Sequence, residues 1–274
     1  MIEDLVADLA RRVHGKYYGK YRGFVADNAD PDQLGRLTLK IPSVLGAEVS
    51  GWAMPCLPFG GTAGIGWFVI PEPKAQVWVE FEEGDPRRPI WTGTFWQNQG
   101  DPPDDAHKTP PTTRLVQTAA GHRLQFDDGD GHEQLRLHHA GGAELVIDEH
   151  GTITITDQAG NAITLDAAGE QISLADTHHN AVTLRASGIK LEDGNHNTLE
   201  LAASGVTISS AGEIVLDAKA VVLGGRGGEP VLKGQGFLTL FKTHVHTATS
   251  LGSPTSPPTP QGEDATLSTA VTTR

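Results

Sequence analysis

Apolar and polar residues alternate with two different periods along the chain. Between Ile2 and His14, apolar residues recur at spacings of three and four, which predicts a short amphipathic helix within residues 1–15. From Tyr17 to Gln97 the pattern changes to short alternating stretches that each end at Pro or Gly, which predicts strands. Six stretches have this pattern: Tyr21–Ala26, Gly35–Pro42, Trp52–Pro55, Gly66–Ile70, Ala75–Phe81 and Ile90–Phe95.

Residues 16–99 contain all five tryptophans of the chain, so the aromatic residues of a core are concentrated there. Several short strands bounded by turn residues are typical of a small closed barrel such as an OB-fold. Residues 100–114 are acidic, rich in proline and without an apolar face. We interpret them as a linker between the barrel and the rest of the chain.

After Gly121 the sequence becomes repetitive. Pairs of Ile, Leu or Val two positions apart recur at steps of seven to ten residues. Within this stretch, Gly142, Gly151, Gly160 and Gly169 lie at intervals of nine residues. Such periodicity is typical of a β-solenoid or β-helix. The pairs begin at Leu135, Leu145, Ile153, Ile163, Ile172, Val182, Ile189, Leu199, Val206, Ile214 and Val221.

A strand with only two inward apolar side chains buries little surface compared with the cost of ordering its backbone, about 1–2 kcal/mol per residue. Three copies that wind about one axis, each strand pairing with strands of the neighbouring chains, would bury more. We therefore predict that residues 115–243 form an intertwined trimeric β-helix needle. The alternative is a monomeric solenoid, whose coils usually need about 20 residues or more, so the nine-residue spacing favours the trimer.

Composition restricts the function further. The net charge of −13 argues against nucleic-acid binding, which needs clustered Lys and Arg. Cys56 is the only cysteine, so no intrachain disulfide is expected. The first residues lack a basic and apolar leader, and the sequence has no run of 18 apolar residues. We expect synthesis in the cytoplasm without a signal peptide, and no transmembrane helix.

Three segments carry a family resemblance: Gly35–Pro42, Gly66–Pro71 and Val77–Gly93. They resemble the OB-fold domain of phage baseplate assembly protein V, which the valine-glycine-repeat spikes of type VI secretion and the spikes of extracellular contractile injection systems share. The most specific part is Glu-x-Gly-Asp-Pro-Arg-Arg-Pro at Glu82–Pro89. Ala119–Asp128 is similar to the start of the family's β-helix, so the resemblance extends over about residues 16–250.

The resemblance implies an all-β protein with an N-terminal OB-fold barrel, a trimeric needle and no enzymatic activity. Its members are homotrimers seated on the tail-tube hub protein of a phage-tail-like baseplate, and they pierce the target envelope when the sheath contracts. Some relatives carry a lysozyme domain between barrel and needle, but here only the linker occupies that position. A separate PAAR-repeat cap protein at the needle end is a further expected partner.

The motif His244-Val245-His246 follows the repeats and is the candidate metal site. In an extended strand both imidazoles point to the same side, and three chains would bring six together. Six nitrogen ligands suit Fe(II) or another divalent transition metal. Spike tips of the resembling family bind iron through a His-x-His motif, usually with threonine in the middle, where this chain has Val245. The alternative is two exposed histidines in a tail.

The segment after His246 leaves two alternatives open. Its Pro-rich part, Ser253–Pro260, fits either a polyproline-like segment that runs back along the shaft or a disordered tail. Two other motifs predict no site. Asp127–Glu133 lacks the ligand spacing of an EF-hand and predicts a hairpin turn. Gly224–Glu229 lacks the Lys-Ser/Thr pair of a P-loop.

A trimeric tail fibre that binds or degrades surface polysaccharide is the competing function. Such a protein would need aromatic platforms and paired carboxylates along the repeats. Between Gly121 and Gly236 the only aromatic residue of the Phe, Tyr and Trp types is Phe126. The sequence therefore favours a mechanical spike.

Overall fold

The computed structural model describes residues 2, 3, 6, 13–223, 229–232, 234–247, 250–252, 254–257 and 267–273. The chain is mostly β, with an OB-like half-barrel near its N-terminus and a long antiparallel sheet, which confirms the all-β prediction. The chain divides into two compact units, Met1–Gln158 and Ala159–Arg274.

The half-barrel is a five-stranded sheet in the order β2-β1-β4-β5-β3. Strand β1 is antiparallel to both β2 and β4, and the two residues of β3 run parallel to β5. A one-turn helix, α1, follows β2. The elements are β1 (Tyr21–Asp27), β2 (Thr38–Lys40), α1 (Pro42–Leu45), β3 (Met54–Pro55), β4 (Gln76–Phe81) and β5 (Pro89–Thr94).

Strict alternation along β4 produces the half-barrel core. Val77, Val79 and Phe81 point inward, while the residues between them are only partly buried. Trp91 of β5 is buried beside them, and its indole nitrogen donates to the carbonyl of Gly35 at 3.1 Å. The remaining core residues are Val25, Leu37, Leu39, Ile41 and Ala53.

A buried carboxylate holds the loop between β1 and β2. The Asp30 side chain accepts hydrogen bonds from the Arg36 guanidinium and from the backbone N–H groups of Asp32, Leu34 and Arg36. These bonds, the one from the Arg36 side chain foremost, hold the pKa of Asp30 far below its ordinary value against the opposing effect of burial. Arg36 also lies over the Trp52 ring at 5.6 Å.

Two predictions in this unit need comment. Gly66–Ile70 was predicted as a strand, but these residues form none, and Trp67, Phe68 and Val69 are exposed. Strand propensity depends on pairing and packing, and this stretch has a single backbone bond, from Trp67 to Phe59, in place of a ladder. Of the predicted N-terminal helix, residues 2, 3, 6 and 13 are helical and His14 and Gly15 form a turn, while residues 1, 4, 5 and 7–12 lie outside the described residues.

Five strands complete the first unit as an antiparallel meander in which neighbours in sequence are neighbours in space. Glycines with positive φ, such as Gly142 and Gly151, allow the tight turns between them. The strands are β6 (Thr113–Gln117), β7 (Arg123–Asp127), β8 (Gln134–His138), β9 (Glu144–Ile147) and β10 (Ile153–Thr156).

Six strands in the second unit follow the same pattern, from β11 to β16. They are β11 (Ala162–Asp166), β12 (Gln171–Ala175), β13 (Ala181–Arg185), β14 (Gly188–Glu192), β15 (Thr198–Ala202) and β16 (Gly205–Ser209).

Aspartates close two of the turns on one edge of this meander. In the β12–β13 turn, Asp176 accepts from the backbone N–H groups of His178 and Asn180 and from the Asn180 side chain. Asp193 and Asn197 repeat the arrangement in the β14–β15 turn. The asparagine bonds lower the pKa of both aspartates. These Asx turns explain why short loops return the chain directly beside the preceding strand.

The strand partners differ from those that the sequence predicted. We expected each needle strand to pair with strands of neighbouring chains, whereas each pairs with the strands before and after it in its own chain. The tight turns make this pairing local, so it needs no long loop closure. Antiparallel hairpins also differ from the coils of the monomeric solenoid that was the alternative.

The end of the chain departs from the β prediction. Residues 210–220 contain no strand, although Ile214 and Leu216 were predicted as one. A ten-residue helix, α2 (Gly234–Thr243), occupies the end of the predicted needle. The tail contains a strand that lies between two others and follows the Pro-rich part Ser253–Pro260. Of that part, for which a polyproline-like segment and a disordered tail were the alternatives, residues 254–257 are described and contain no strand. The strands of this small sheet are β17 (Val221–Val222), β18 (Glu229–Leu232) and β19 (Leu267–Thr273).

Replacing Gly188 should destabilise the second unit more than replacing a glycine in open space. Its φ is +139°, and a Cβ there would lie 1.8 Å from the carbonyl oxygen of Leu201 on β15. We expect Gly188→Ala to lower the Tm by roughly 4–10 °C. Gly212→Ala is the matched control, because its nearest neighbour is the Ser210 hydroxyl at 3.8 Å. Equal melting curves for the two variants would contradict the described register.

Candidate assembly interface and tip histidines

The second unit presents a continuous apolar face to solvent. Each Ile, Leu and Val of its meander lies opposite another aliphatic residue, as in Ile163 opposite Leu174, so these pairs line up in two rows across the sheet. The two rows together contain twelve side chains, which we call the apolar face. Ten of these side chains are exposed and the other two are partly buried. The rows are Ile163-Leu174-Val182-Leu191-Leu199-Ile208 and Leu165-Ile172-Leu184-Ile189-Leu201-Val206.

An open groove of about 720 Å³ runs along the first of these rows. Its floor is made by Leu174, Leu191 and Leu199, and Asp176 and Asp193 of the turns stand at its rim. The opposite side of the same strands carries polar or small residues, such as Ser173, Thr183 and Glu200. A sheet with one apolar and one polar side normally packs its apolar side against another layer.

The first unit has the same two-sided character. One row begins at Val116 and another at Phe126, and both continue with Leu or Ile across the meander to β10. Several of these side chains, including Leu137 and Ile155, are exposed. The apolar rows are Val116-Leu124-Leu137-Leu145-Ile155 and Phe126-Leu135-Ile147-Ile153.

On the polar side of this meander, the chain provides its own cover. Lys108, from the segment interpreted as a linker, forms an ion pair with Asp127 of β7, whose side chain is only 4% exposed. Asp127 also accepts hydrogen bonds from the Thr112 and Thr113 hydroxyls and the Gly129 N–H. The bond from Lys108 holds the pKa of Asp127 below its ordinary value, although burial acts in the opposite direction.

A second ion pair, between Asp105 and Arg123, fixes the same segment to β7. We call residues 100–112 with these two ion pairs the anchored connector. Sequence reasoning missed it, because Pro-rich composition suggested a free linker. The sequence does show charged residues at positions 105 and 108 and at both ends of β7, Arg123 and Asp127. No local pattern specifies which of these charges pair. The connector therefore binds the polar side and leaves the apolar rows open.

The family-like motif Glu82–Pro89 forms the tight connection between β4 and β5. Asp85 accepts hydrogen bonds from the backbone and guanidinium of Arg87, and Arg88 pairs with Glu82 at 2.6 Å. Gly84, with φ +72°, packs closely on Tyr18. The two arginines thus act within the turn itself, where they stabilise a conformation with positive φ.

The predicted metal ligands, His244 and His246, lie directly after α2 with their ring centroids 5.2 Å apart. The Nδ1 atom of His244 bonds to the carbonyl of Phe241, and that of His246 bonds to the carbonyl of Ser256 at 2.7 Å. A carbonyl can only accept, so Nδ1 donates in both rings, and in the neutral form of each ring Nε2 carries the lone pair. Backbone bonds of this kind orient histidine ligands in metal sites.

The donor set of one chain does not complete a metal site. Among the described residues, no group of three or more His, Cys, Asp or Glu side chains is placed to hold an ion. Asp127–Glu133 is a turn whose Asp127 is held by Lys108, in agreement with the hairpin prediction. Gly224–Gly228 lies outside the described residues. In the described part of the chain, no helix is both long and apolar enough to span a membrane.

Asp127→Asn should weaken the anchored connector. The substitution removes the charge that Lys108 neutralises, and we expect the Tm at pH 7 to fall by roughly 3–6 °C. Because folding lowers the pKa of Asp127, its stabilisation is complete above about pH 4 and is lost as the pH falls through its folded pKa. The variant should therefore lose less stability than the wild type between pH 7 and pH 2. Asp130→Asn, at an exposed turn position, is the control, and identical pH profiles for the Asp127 variant and the wild type would contradict this assignment.

Comparison with known proteins bears on the half-barrel. Residues 21–96 match the family model described as the type VI secretion system/phage-baseplate injector OB domain. A search of the curated proteins finds no match to the chain. The matched range contains the five half-barrel strands and the Glu82–Pro89 turn. Residues 21–96 are therefore similar to the injector OB domain of type VI secretion systems and phage baseplates, which supports a structural role in a baseplate.

Proposed function

We propose that the protein is the central spike of a contractile injection system baseplate. It acts as a homotrimer, seated on the tail-tube hub through its OB domain, and is driven through the target envelope when the sheath contracts. The matched domain supports the baseplate role. A PAAR-repeat cap protein at the needle end is the alternative to a metal-binding tip.

The apolar face of the second unit is the observation that supports the spike most strongly. Twelve aliphatic side chains lie in two rows on one side of the meander, while its backbone ladder is already satisfied within the chain. What the sheet lacks is a layer against its apolar side. Three identical sheets with their apolar faces toward a common axis would supply that layer to each other. The turns and polar sides would then face water, as the net charge of −13 suits.

This arrangement revises how the three chains associate. The sequence suggested intertwined strands, whereas complete ladders within each chain favour three separate sheets that pack face to face. Such a trimer would still be stiff, because each sheet keeps its hydrogen bonds and the association adds a dry core. Stiffness is the property that a piercing rod needs.

The tip histidines are proposed to bind one Fe(II), or another divalent transition metal, per trimer. The protonated Nδ1 and available Nε2 of His244 and His246 support this proposal. Three copies would offer six imidazole nitrogens, which suits octahedral coordination. The competing tail-fibre function gains little support from strands β6 to β16, whose exposed apolar side chains are aliphatic except for Phe126.

A charge placed on the apolar face should break the assembly. We expect Leu174→Lys to weaken association at least about a hundredfold, because each copy would bury an unpaired ammonium group. Sedimentation velocity across a dilution series measures the effect. Ser173→Lys is the matched control, since it adds the same charge to the same strand on the polar side. The interface would be misplaced if both variants associated like the wild type.

Metal content tests the tip separately. Purified protein should contain about one iron per three chains, measured by elemental analysis together with the mass of the assembly. His244→Ala with His246→Ala should abolish the metal and leave the trimer intact, because the apolar face lies on other residues. A metal-free wild type, even after anaerobic addition of Fe(II), would reject the tip proposal and leave the spike proposal standing.

A further inference from the structure

Ser256, in the Pro-rich segment, forms hydrogen bonds through all of its polar groups. Its backbone N–H donates to the carbonyl of Thr247 at 3.0 Å, and its hydroxyl accepts from the N–H of Thr247 at 3.0 Å. Its carbonyl accepts from Nδ1 of His246. Ser256 is also partly buried, whereas Thr255 and Pro257 beside it are exposed. The chain therefore returns to the tip histidines at this residue.

The bonds between Ser256 and Thr247 differ from those of an ordinary antiparallel pair. In a hydrogen-bonded pair of antiparallel residues, each residue donates its N–H to the carbonyl of the other. Here the N–H of Thr247 donates to the Ser256 hydroxyl, and the Ser256 carbonyl accepts from the imidazole of His246. The hydroxyl thus takes the place of the carbonyl as a backbone partner, and the carbonyl becomes available to the ring.

Pro257 favours this arrangement in two ways. A residue that precedes proline is restricted to extended conformations, so Ser256 has fewer backbone states to lose when these bonds form. The Pro257 carbonyl also accepts the proton of the Ser256 hydroxyl at 2.9 Å. Because a hydroxyl has one proton and two lone pairs, this bond leaves the lone pairs of the Ser256 hydroxyl for the N–H of Thr247.

We propose that Ser256 is a positioning residue that sets the tautomer of His246 for metal binding. Its carbonyl holds a proton on Nδ1, so the neutral ring offers the lone pair of Nε2 as a ligand. His244 has the same tautomer through the carbonyl of Phe241 in α2, which does not depend on the tail. The inference rests on the proposed metal-binding tip and gives the Pro-rich segment a role in it.

Nitrogen NMR of the metal-free, full-length protein measures which ring nitrogen carries the proton. At about pH 8, where histidine is neutral, wild type should carry it on Nδ1 of both His244 and His246. In Ser256→Ala the N–H of Thr247 loses the hydroxyl and competes for the carbonyl at position 256, so the His246 proton should move to Nε2. Ser256→Thr keeps a hydroxyl and should keep the wild-type tautomer. His244 is the internal control, because no variant removes its partner.

Co(II) binding measures the consequence for the metal site. Loss of a group that orients a ligand weakens metal binding by roughly 10–100-fold, so Ser256→Ala should bind Co(II) at least about tenfold more weakly than the wild type. Ser256→Thr should bind like the wild type. Thr255→Ala is the matched control, because it truncates the exposed neighbouring side chain. The mass and the melting curve of each variant are measured in parallel.

The positioning role alone would be overturned if Ser256→Ala kept the wild-type Co(II) affinity, whether or not the His246 proton moved. An equal loss of affinity in Ser256→Thr or Thr255→Ala would also overturn it, and so would a wild-type His246 with its proton on Nε2. A wild type that binds neither Co(II) nor Fe(II) would reject the metal-binding tip together with the positioning role. If that protein were still a trimer, the spike proposal would stand.

Discussion

An antiparallel sheet that satisfies its hydrogen bonds within one chain still has two faces, and the exposure of an aliphatic face to water is unfavourable. In the second unit this constraint concerns twelve Ile, Leu and Val side chains in two rows. The β12–β13 and β14–β15 turns, closed by Asp176 and Asp193, fix the register that aligns the rows. The same turns that make the chain fold locally therefore create a surface that the chain by itself leaves to solvent.

The anchored connector shows the complementary solution on the other side of a sheet. Asp127 and Gln125 point to the polar side of β7, and both are buried although the rows opposite are exposed. Lys108 neutralises Asp127, so a residue of the same chain compensates a carboxylate whose burial would otherwise be unfavourable. Covering the polar side intramolecularly and leaving the apolar side open is the distribution expected of a subunit whose apolar side meets copies of itself.

Sequence predicted most of what depends on local pattern. Period-two alternation located β1, β4 and β5, and the paired aliphatic positions located every strand from β8 to β16. Sequence reasoning failed where the structure of a segment depends on which other strand or turn it contacts. Gly66–Ile70 has strand propensity but no ladder, and the choice between pairing within a chain and pairing between chains depends on turn geometry at Asp176 and Asp193. Helix α2 was missed because the whole range 115–243 was assigned to the β-helix needle. The two histidine rings lie close together, and no sequence pattern indicates the carbonyl groups that their Nδ1 atoms bond to. For His244 the carbonyl belongs to Phe241, and for His246 it belongs to Ser256, ten residues further along the chain.

In the proposed spike, two further copies of the chain cover the apolar face. Native mass spectrometry of the full-length protein, checked by sedimentation equilibrium, tests this arrangement. We expect a single species of three times the chain mass of 29.1 kDa at micromolar concentration. A species of one chain mass, or a dimer that persists on dilution, would contradict it.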